Sequence, residues 1–258
     1  MGQFRPKVSL SILPDFPLVE PGDNLASLIN MSLERGSLEL DEGDVLVVAQ
    51  KVVSKAENRY AYLSQVSISE RAKKLALEVE KDPRLVQLIL DESREIVAQR
   101  PGVLIVEHKL GYVHANAGID QSNISSSDNN PRVLLLPEDP DRSAASLCRE
   151  LKNNGPEQLG VIINDSAGRA WRTGSLGFAL GTSGFLALEN MIGERDLYGR
   201  EMLVTEVAVA DELAAAASFL MGQADEGAPV VLIKGAQLTP SKLGSGLLIR
   251  AKSKDLFR

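Results

Sequence analysis

A chain of 258 residues, 44% of them hydrophobic, can build one large domain or two smaller lobes, and its formal net charge of -7 excludes a non-specific nucleic-acid binder, which concentrates Lys and Arg against phosphate. Cys148 stands alone, so no intramolecular disulfide can form, and His108 and His114 are too few for a zinc cluster without carboxylates. Met1 to Leu13 carries Arg5 and Lys7 but no long apolar run, and nowhere do about 18 apolar residues follow one another, so a soluble cytoplasmic protein without membrane spans is expected.

Val8 to Leu13 alternates as a strand does, and Pro14-Asp15-Phe16-Pro17 stops it in a stiff loop. Asp23 or Asn24 caps a helix to about Arg35, with Leu25, Leu28 and Ile29 on one face and Gly36 closing it. Val45 to Ala49 is a core strand. The loop expected after it, Gln50 to Arg59, either brings Lys51, Lys55 and Ser54 within reach of a phosphate or simply bears surface lysines; it lacks the glycine frame of a P-loop.

Ser69 starts a helix, and a second is predicted from Pro83 to about Gln99 on Leu85, Leu88, Ile89 and Ile96. Val103 to Val106 and Tyr112-Val113 are strands. Ala115 to Asn123 is a loop of small residues that offers Asp120 and Asn123. His108 reads as a core histidine, whereas His114 is open between core and ligand. Ser125 to Asn130 is a surface loop, Val133 to Leu136 a buried strand, and a helix runs from about Ser143 to Asn153 with Cys148 packed inside.

The densest chemistry lies in Val161 to Arg172, a β-branched run expected to empty into a turn at Asn164-Asp165-Ser166. Asp165 and Ser166 offer a carboxylate and a hydroxyl to a hard cation, and Arg169 and Arg172 are near enough in sequence to hold its anion. The other reading is a polar turn with a capping Asp and solvated arginines. Gly174, Gly177, Gly181 and Gly184 mark tight turns or close approach of a ligand. Leu203 to Leu213 passes into an alanine-rich helix from Ala214 to Leu220; Asp211-Glu212 there either meets the helix dipole or ligates. A polar loop from Met221 to Ala228 precedes a last strand, Val230 to Ile233, and Leu256-Phe257 pins the tail.

In this order, Gly43 to Val48 through Ser54-Lys55-Ala56-Glu57, Ala115-Asn116-Ala117-Gly118-Ile119-Asp120 through Asn123, Leu135 to Asp141, Ile162 to Arg172, Val204 to Glu212 and Asp255 to Arg258 resemble the coenzyme F420-0:L-glutamate ligase family. The resemblance covers nearly the whole chain. It implies a GTP-dependent ligase that joins the amine of L-glutamate to the lactyl carboxylate of F420-0 and then adds γ-linked glutamates. It also implies Mn²⁺ or Mg²⁺, K⁺, and an intertwined homodimer.

Carried over by position, the resemblance places metal ligands at Asp120, Asp165, Ser166 (where the family usually has Thr) and Gln223. It places nucleotide contacts along Met221, Gly222, Gln223, Ala224, Asp225, Glu226, Gly227 and Ala228. Further contacts fall on Pro14, Asp15, Phe16, Pro17, Ala49, Gln50, Ser54 and Asn123. Lys55 and Arg169 are assigned as catalytic cations from charge alone. Gly177-Phe178-Ala179-Leu180-Gly181 stands where the family tends to read Asp-Val-Ala-Ile-Gly, and Asn164 where Thr is common. The lost acid leaves two alternatives beside the F420 reading: the same amide chemistry on a folate-like or other carboxylate, or a nucleotide-binding homologue without catalysis. Retention of Asp120, Asp165, Ser166 and Asn123 argues against the second.

An α+β fold with mixed or antiparallel sheets and flanking helices is expected, because several strands follow one another with no helix between. It forms a single ligase domain, with a division into lobes at about 1–95 with 200–258, and 96–199.

Overall fold

The computed structural model describes residues 7–153 and 155–257; the Arg5 charge of the N-terminal stretch and Arg258 of the last matched block lie outside them. The first half of the chain forms β1 (Ser9–Ile12), α1 (Leu25–Arg35), β2 (Asp44–Ala49), α2 (Gln50–Ala56), β3 (Tyr60–Tyr62), α3 (Glu70–Val79), α4 (Pro83–Asp91), β4 (Ser93–Arg100), β5 (Val103–His108) and β6 (Val113–Ala115). The second half adds β7 (Arg132–Leu134), α5 (Pro140–Lys152), β8 (Leu159–Arg169), β9 (Arg172–Phe185), β10 (Glu189–Asn190), β11 (Glu206–Val207), α6 (Val209–Met221), β12 (Val230–Lys234) and β13 (Pro240–Ser241).

A six-stranded sheet in the order β1-β12-β2-β8-β9-β13 forms the centre, with β2 and β8 parallel and every other pair antiparallel. Its strands alternate in what they feed. Leu46, Val48, Val161, Ile163, Val230 and Leu232 pack with α1, α2 and α5, and Val45, Val47, Ile162, Val231 and Ile233 pack with the alanine face of α6. A separate core joins α3 and α4 to Leu104 and Val106 of β5, with Ala117 and Val133. The expected α+β class with mixed sheets is therefore present. No described helix is long and apolar enough to cross a membrane.

Local chemistry fixes the helix starts. Asn24 Oδ1 accepts the Ser27 N–H at 2.8 Å, Ser69 Oγ accepts that of Ala72 at 3.1 Å, and Asp139 Oδ1 that of Arg142 at 3.0 Å. Pro140 at the first position of α5 starts that helix three residues before the expected Ser143.

Five expectations are corrected. Gln50 to Ala56 is a helix, not a loop, so Lys51 and Lys55 stand one turn apart. The second helix stops at Asp91, and Ile96 belongs to β4, whose pairing with β5 overrides the helical spacing. The alanine-rich helix expected from Ala214 starts at Val209, after the two-residue strand Glu206–Val207. β8 does not end at Asn164: pairing with β9 carries it to Arg169, so Asp165 and Ser166 sit on a strand. The lobe boundary also moves, since β8 and β9 share the central sheet with β1, β2 and β12.

In β9, Gly177 and Gly181 serve packing, whereas Gly174 and Gly184 take positive φ of 89° and 91°. A Cβ at Gly177 would lie 2.5 Å from Ser218 Cβ and 2.6 Å from the Ala214 carbonyl oxygen of α6. One at Gly181 would lie 2.3 Å from the Pro140 carbonyl of α5. Two helices approach the strand so closely that only hydrogen fits.

Candidate active site

The parallel register sets Ala49 beside Asn164, so Gln50, where the chain leaves β2 for α2, and Asp165, which stays paired to β9, lie at the same end of the two strands. A cavity of about 620 Å³ opens there, lined by α2, the 120–125 segment, β8 and the loop after α6.

Asp120 is held from both sides. Its backbone exchanges N–H and C=O bonds with Leu134 at 2.9 Å each, and its carboxylate accepts Gln50 Nε2 at 2.6 Å and pairs with Lys51 Nζ at 3.0 Å. The turn leading to it is left-handed, with φ of 53° at Asn116 and 55° at Ala117; the buried Ala117 anchors it in the small core. Ser54 lies wholly buried behind Gln50 and donates to Gln50 Oε1 at 3.0 Å, so a serine, a glutamine and a carboxylate form one chain.

Asp165 belongs to the same cluster. Loss of solvent and the negative charge of Asp120 push its carboxyl up to about 7, against the opposing pull of the Ser166 N–H at 2.8 Å, Lys51 and Gln50. Two carboxylates, one of them desolvated, thus converge from positions 45 residues apart in sequence. Beside them Ser166 Oγ donates to Gln223 Oε1 at 2.8 Å, and Gln223 Nε2 donates to Ser218 Oγ at 3.2 Å. Asn123 Nδ2 donates to the Ala224 carbonyl at 2.7 Å and ties the 120 segment to the loop after α6. Among the described residues no group of three or more His, Cys, Asp and Glu side chains gathers to hold a metal. The set at hand is two carboxylates, a hydroxyl and an amide oxygen, all hard donors.

The family described as F420-0:Gamma-glutamyl ligase matches residues 15–235. The chain belongs to that family. It is 42% identical to the coenzyme F420:L-glutamate ligase of Methanocaldococcus jannaschii, over 95% of this chain and 94% of that one. It is 43% identical to the protein of the same name from Methanothermobacter thermautotrophicus, over 97% of this chain and 99% of that one. With the Methanopyrus kandleri protein of that name it shares 44% identity over 98% of each chain.

Of the positions carried over from the ligase family, the cavity wall includes Phe16, Pro17, Ala49, Gln50 and Asn123, the metal set Asp120, Asp165, Ser166 and Gln223, and the whole of Met221 to Ala228. Lys55 is there too. Pro14, Asp15 and Ser54 do not line the cavity: Ser54 is buried behind Gln50, the Pro14 carbonyl accepts the Ser32 hydroxyl, and the carbonyl of the exposed Asp15 accepts Arg35 Nη1 at 2.9 Å. Arg169 is not brought to this cavity. It lies exposed at the far end of β8, where Nη1 reaches the Gly174 carbonyl at 3.3 Å.

Sequence reading passed over Lys51 as a partner of Asp120, and Glu20, Tyr60 and Ser122 as lining residues. The four-residue spacing of Lys51 and Lys55 is the available signal, and it tells only if the segment is helical. His108 is a core residue whose Nδ1 accepts the Leu110 N–H at 3.0 Å. His114 is also buried, its ring centroid 4.9 Å from that of Phe178.

Proposed function

We propose that this chain is a ligase that forms an amide between the amine of L-glutamate and the carboxylate of coenzyme F420-0, driven by GTP, with further glutamates joined through γ-linkages. The observation that carries this reading is the convergence of Asp120 and Asp165 at the mouth of the β2–β8 edge, within a cavity roomy enough for a nucleotide. The names borne by relatives over nearly their full length support the acceptor and the amino acid.

A carboxylate is a poor electrophile and has to be activated. In the proposed sequence an acceptor carboxylate oxygen bonds to the γ-phosphorus of GTP as the bridging P–O bond breaks and GDP departs. The glutamate nitrogen then bonds to the acyl carbon, the C–O bond to phosphate breaks, and the amine proton is lost. Asp120, Asp165, Ser166 and Gln223 would hold Mn²⁺ or Mg²⁺, which when bound neutralises phosphate charge and polarises the transferred group; K⁺ is expected in the same assembly. Lys51, beside Asp120, and Lys55, one helical turn on, direct positive charge at the phosphoryl oxygens. Arg169, remote in one protomer, takes no part there. A homodimer in the cytoplasm completes the reading.

Incubation with GTP, Mn²⁺, K⁺, L-glutamate and F420-0 should raise the acceptor's mass by one glutamyl residue, and Asp165→Asn should abolish the gain. Full activity in that variant discards the assignment. A second reading keeps the same chemistry and changes only the acceptor, to another carboxylate. Turnover of a folate-like acid with F420-0 left untouched would select it.

A further inference from the structure

The tip of the β8–β9 hairpin carries two local costs. Arg169 and Arg172 are register partners, so two like charges stand directly opposite one another, and neither enters an ion pair among the described residues. Between them Trp171 takes a φ of 65°, a left-handed backbone that a bulky side chain rarely adopts, and it is 85% exposed. The end of the chain meets it there, with the ring of the exposed Phe257 6.1 Å from that of Trp171 and inclined to it by 55°. From Ala167 to Phe178 the sequence holds two arginines and no acid, in a chain of net charge -7. A cationic tip with two open aromatic faces is complementary to an anion that carries a flat ring.

We infer that Arg169, Trp171, Arg172 and Phe257 hold the ring-bearing, anionic part of the acceptor, the aromatic pair taking its ring and the arginines its negative charge, while its carboxylate reaches Asp165 along the hairpin. This rests on the ligase reading above. The way between the two ends is open: Ala167 and Gly168 are small, and a Cβ at Gly168 would meet nothing within 4 Å. The four strand steps from Asp165 to Arg169 span about 13 Å. The hairpin therefore selects an acceptor whose ring stands about that far from the carboxylate to be activated, and a short aliphatic acid cannot touch both ends. Binding also turns the two costs into affinity, since the anion screens Arg169 from Arg172 and the ring covers the indole.

Trp171 is the chain's single tryptophan, so its emission reports on the tip alone. F420-0 titrated into the full-length protein, with saturating Mg²⁺ and a non-hydrolysable GTP analogue, should change that emission saturably. In equilibrium dialysis Trp171→Ala should bind F420-0 about tenfold more weakly, and Trp171→Phe should recover most of the loss. Phospholactate, the lactyl end without the ring, should bind Trp171→Ala as it binds the wild type. Arg172→Gln should weaken F420-0 and flatten its salt dependence while melting no lower than the wild type, because it also removes the like-charge pair. Absence of F420-0 binding by the wild type, equal affinity across these variants, or an equal loss for phospholactate overturns the subsite. So does an emission change that follows protein concentration without F420-0, which would give the tip to a second copy of the chain. The two readings fail separately: a ligase whose KM for F420-0 ignores Trp171 keeps its function and loses this subsite, and a protein that binds F420-0 through Trp171 without ligating keeps the subsite and loses the function.

Discussion

Because the Asp165 carboxyl is raised to about 7 by burial and by Asp120, the native chain keeps a proton that the unfolded chain has already released between about pH 4 and 7. Stability drawn from this residue is therefore present at low pH and lost as pH rises through 7. Asp165→Asn, proposed above to end catalysis, should raise the melting temperature of the cation-free protein at pH 8, and Mg²⁺ should stabilise the wild type but not the variant. A variant that melts lower than wild type at pH 8 contradicts the desolvated-carboxylate reading. His114 carries the opposite sign. Burial above all, with the charge of His108, depresses its imidazole to about 4, so the unfolded chain takes up a proton that the native chain refuses. That contribution is intact above the ordinary histidine value and is lost as pH falls toward 4, on the order of 3 kcal/mol in all. Urea midpoints measured at pH 7 and pH 4.5 should differ less in His114→Gln than in wild type, and an equal difference would show that the ring does not stay neutral.

In β9 the controlling quantity is the distance between helix and strand. Gly177→Ala drives a methyl into Ser218 Cβ and the Ala214 carbonyl of α6, and should cost roughly 1–3 kcal/mol in denaturant melts; a neutral result would mean that α6 can shift away. Spacing alone gave no sign of this, since glycines in a strand look the same in sequence whether a turn, a ligand or a helix requires them. What could be read were the features with local causes. Asn24, Ser69 and Gly36 bound their helices as expected, and the apolar runs at Val45, Val161 and Val230 became the sheet core. What could not be read depended on distant partners. Ser166 to Arg169 is strand only because β9 pairs with it, and Ile96 leaves a helical pattern only because β5 takes it. The candidate site divides in the same way. Asp120 and Asp165 are legible as acids set among small or apolar residues, but nothing local tells that the β8–β9 hairpin carries Arg169 away, and Lys51 follows Gln50 toward Asp120 on a helix that its own residues do not announce.

At the scale of the whole molecule, several of the exposed apolar side chains fall in the segment between β10 and β11. Leu197 is fully exposed, with Val204, Tyr198 and Leu203 close by in sequence. Such side chains on an excursion joined to the body by the two-residue ladder β10–β11 are suited to a second copy of the chain. Sedimentation velocity at micromolar concentration should find a dimer, and Leu197→Glu combined with Val204→Glu should shift it to monomer; a monomeric wild type would remove the homodimer from the proposal. The single parallel pair in an otherwise antiparallel sheet bears on how the protein comes into being. Parallel neighbours cannot be joined by a tight hairpin, and here more than a hundred residues separate β2 from β8. A growing polypeptide still short of β8 has its lysines and Asp120 but lacks Asp165 and the strand that carries it. Competence to bind would then arrive in one step late in synthesis, and no N-terminal fragment released early could sequester nucleotide from the finished molecules.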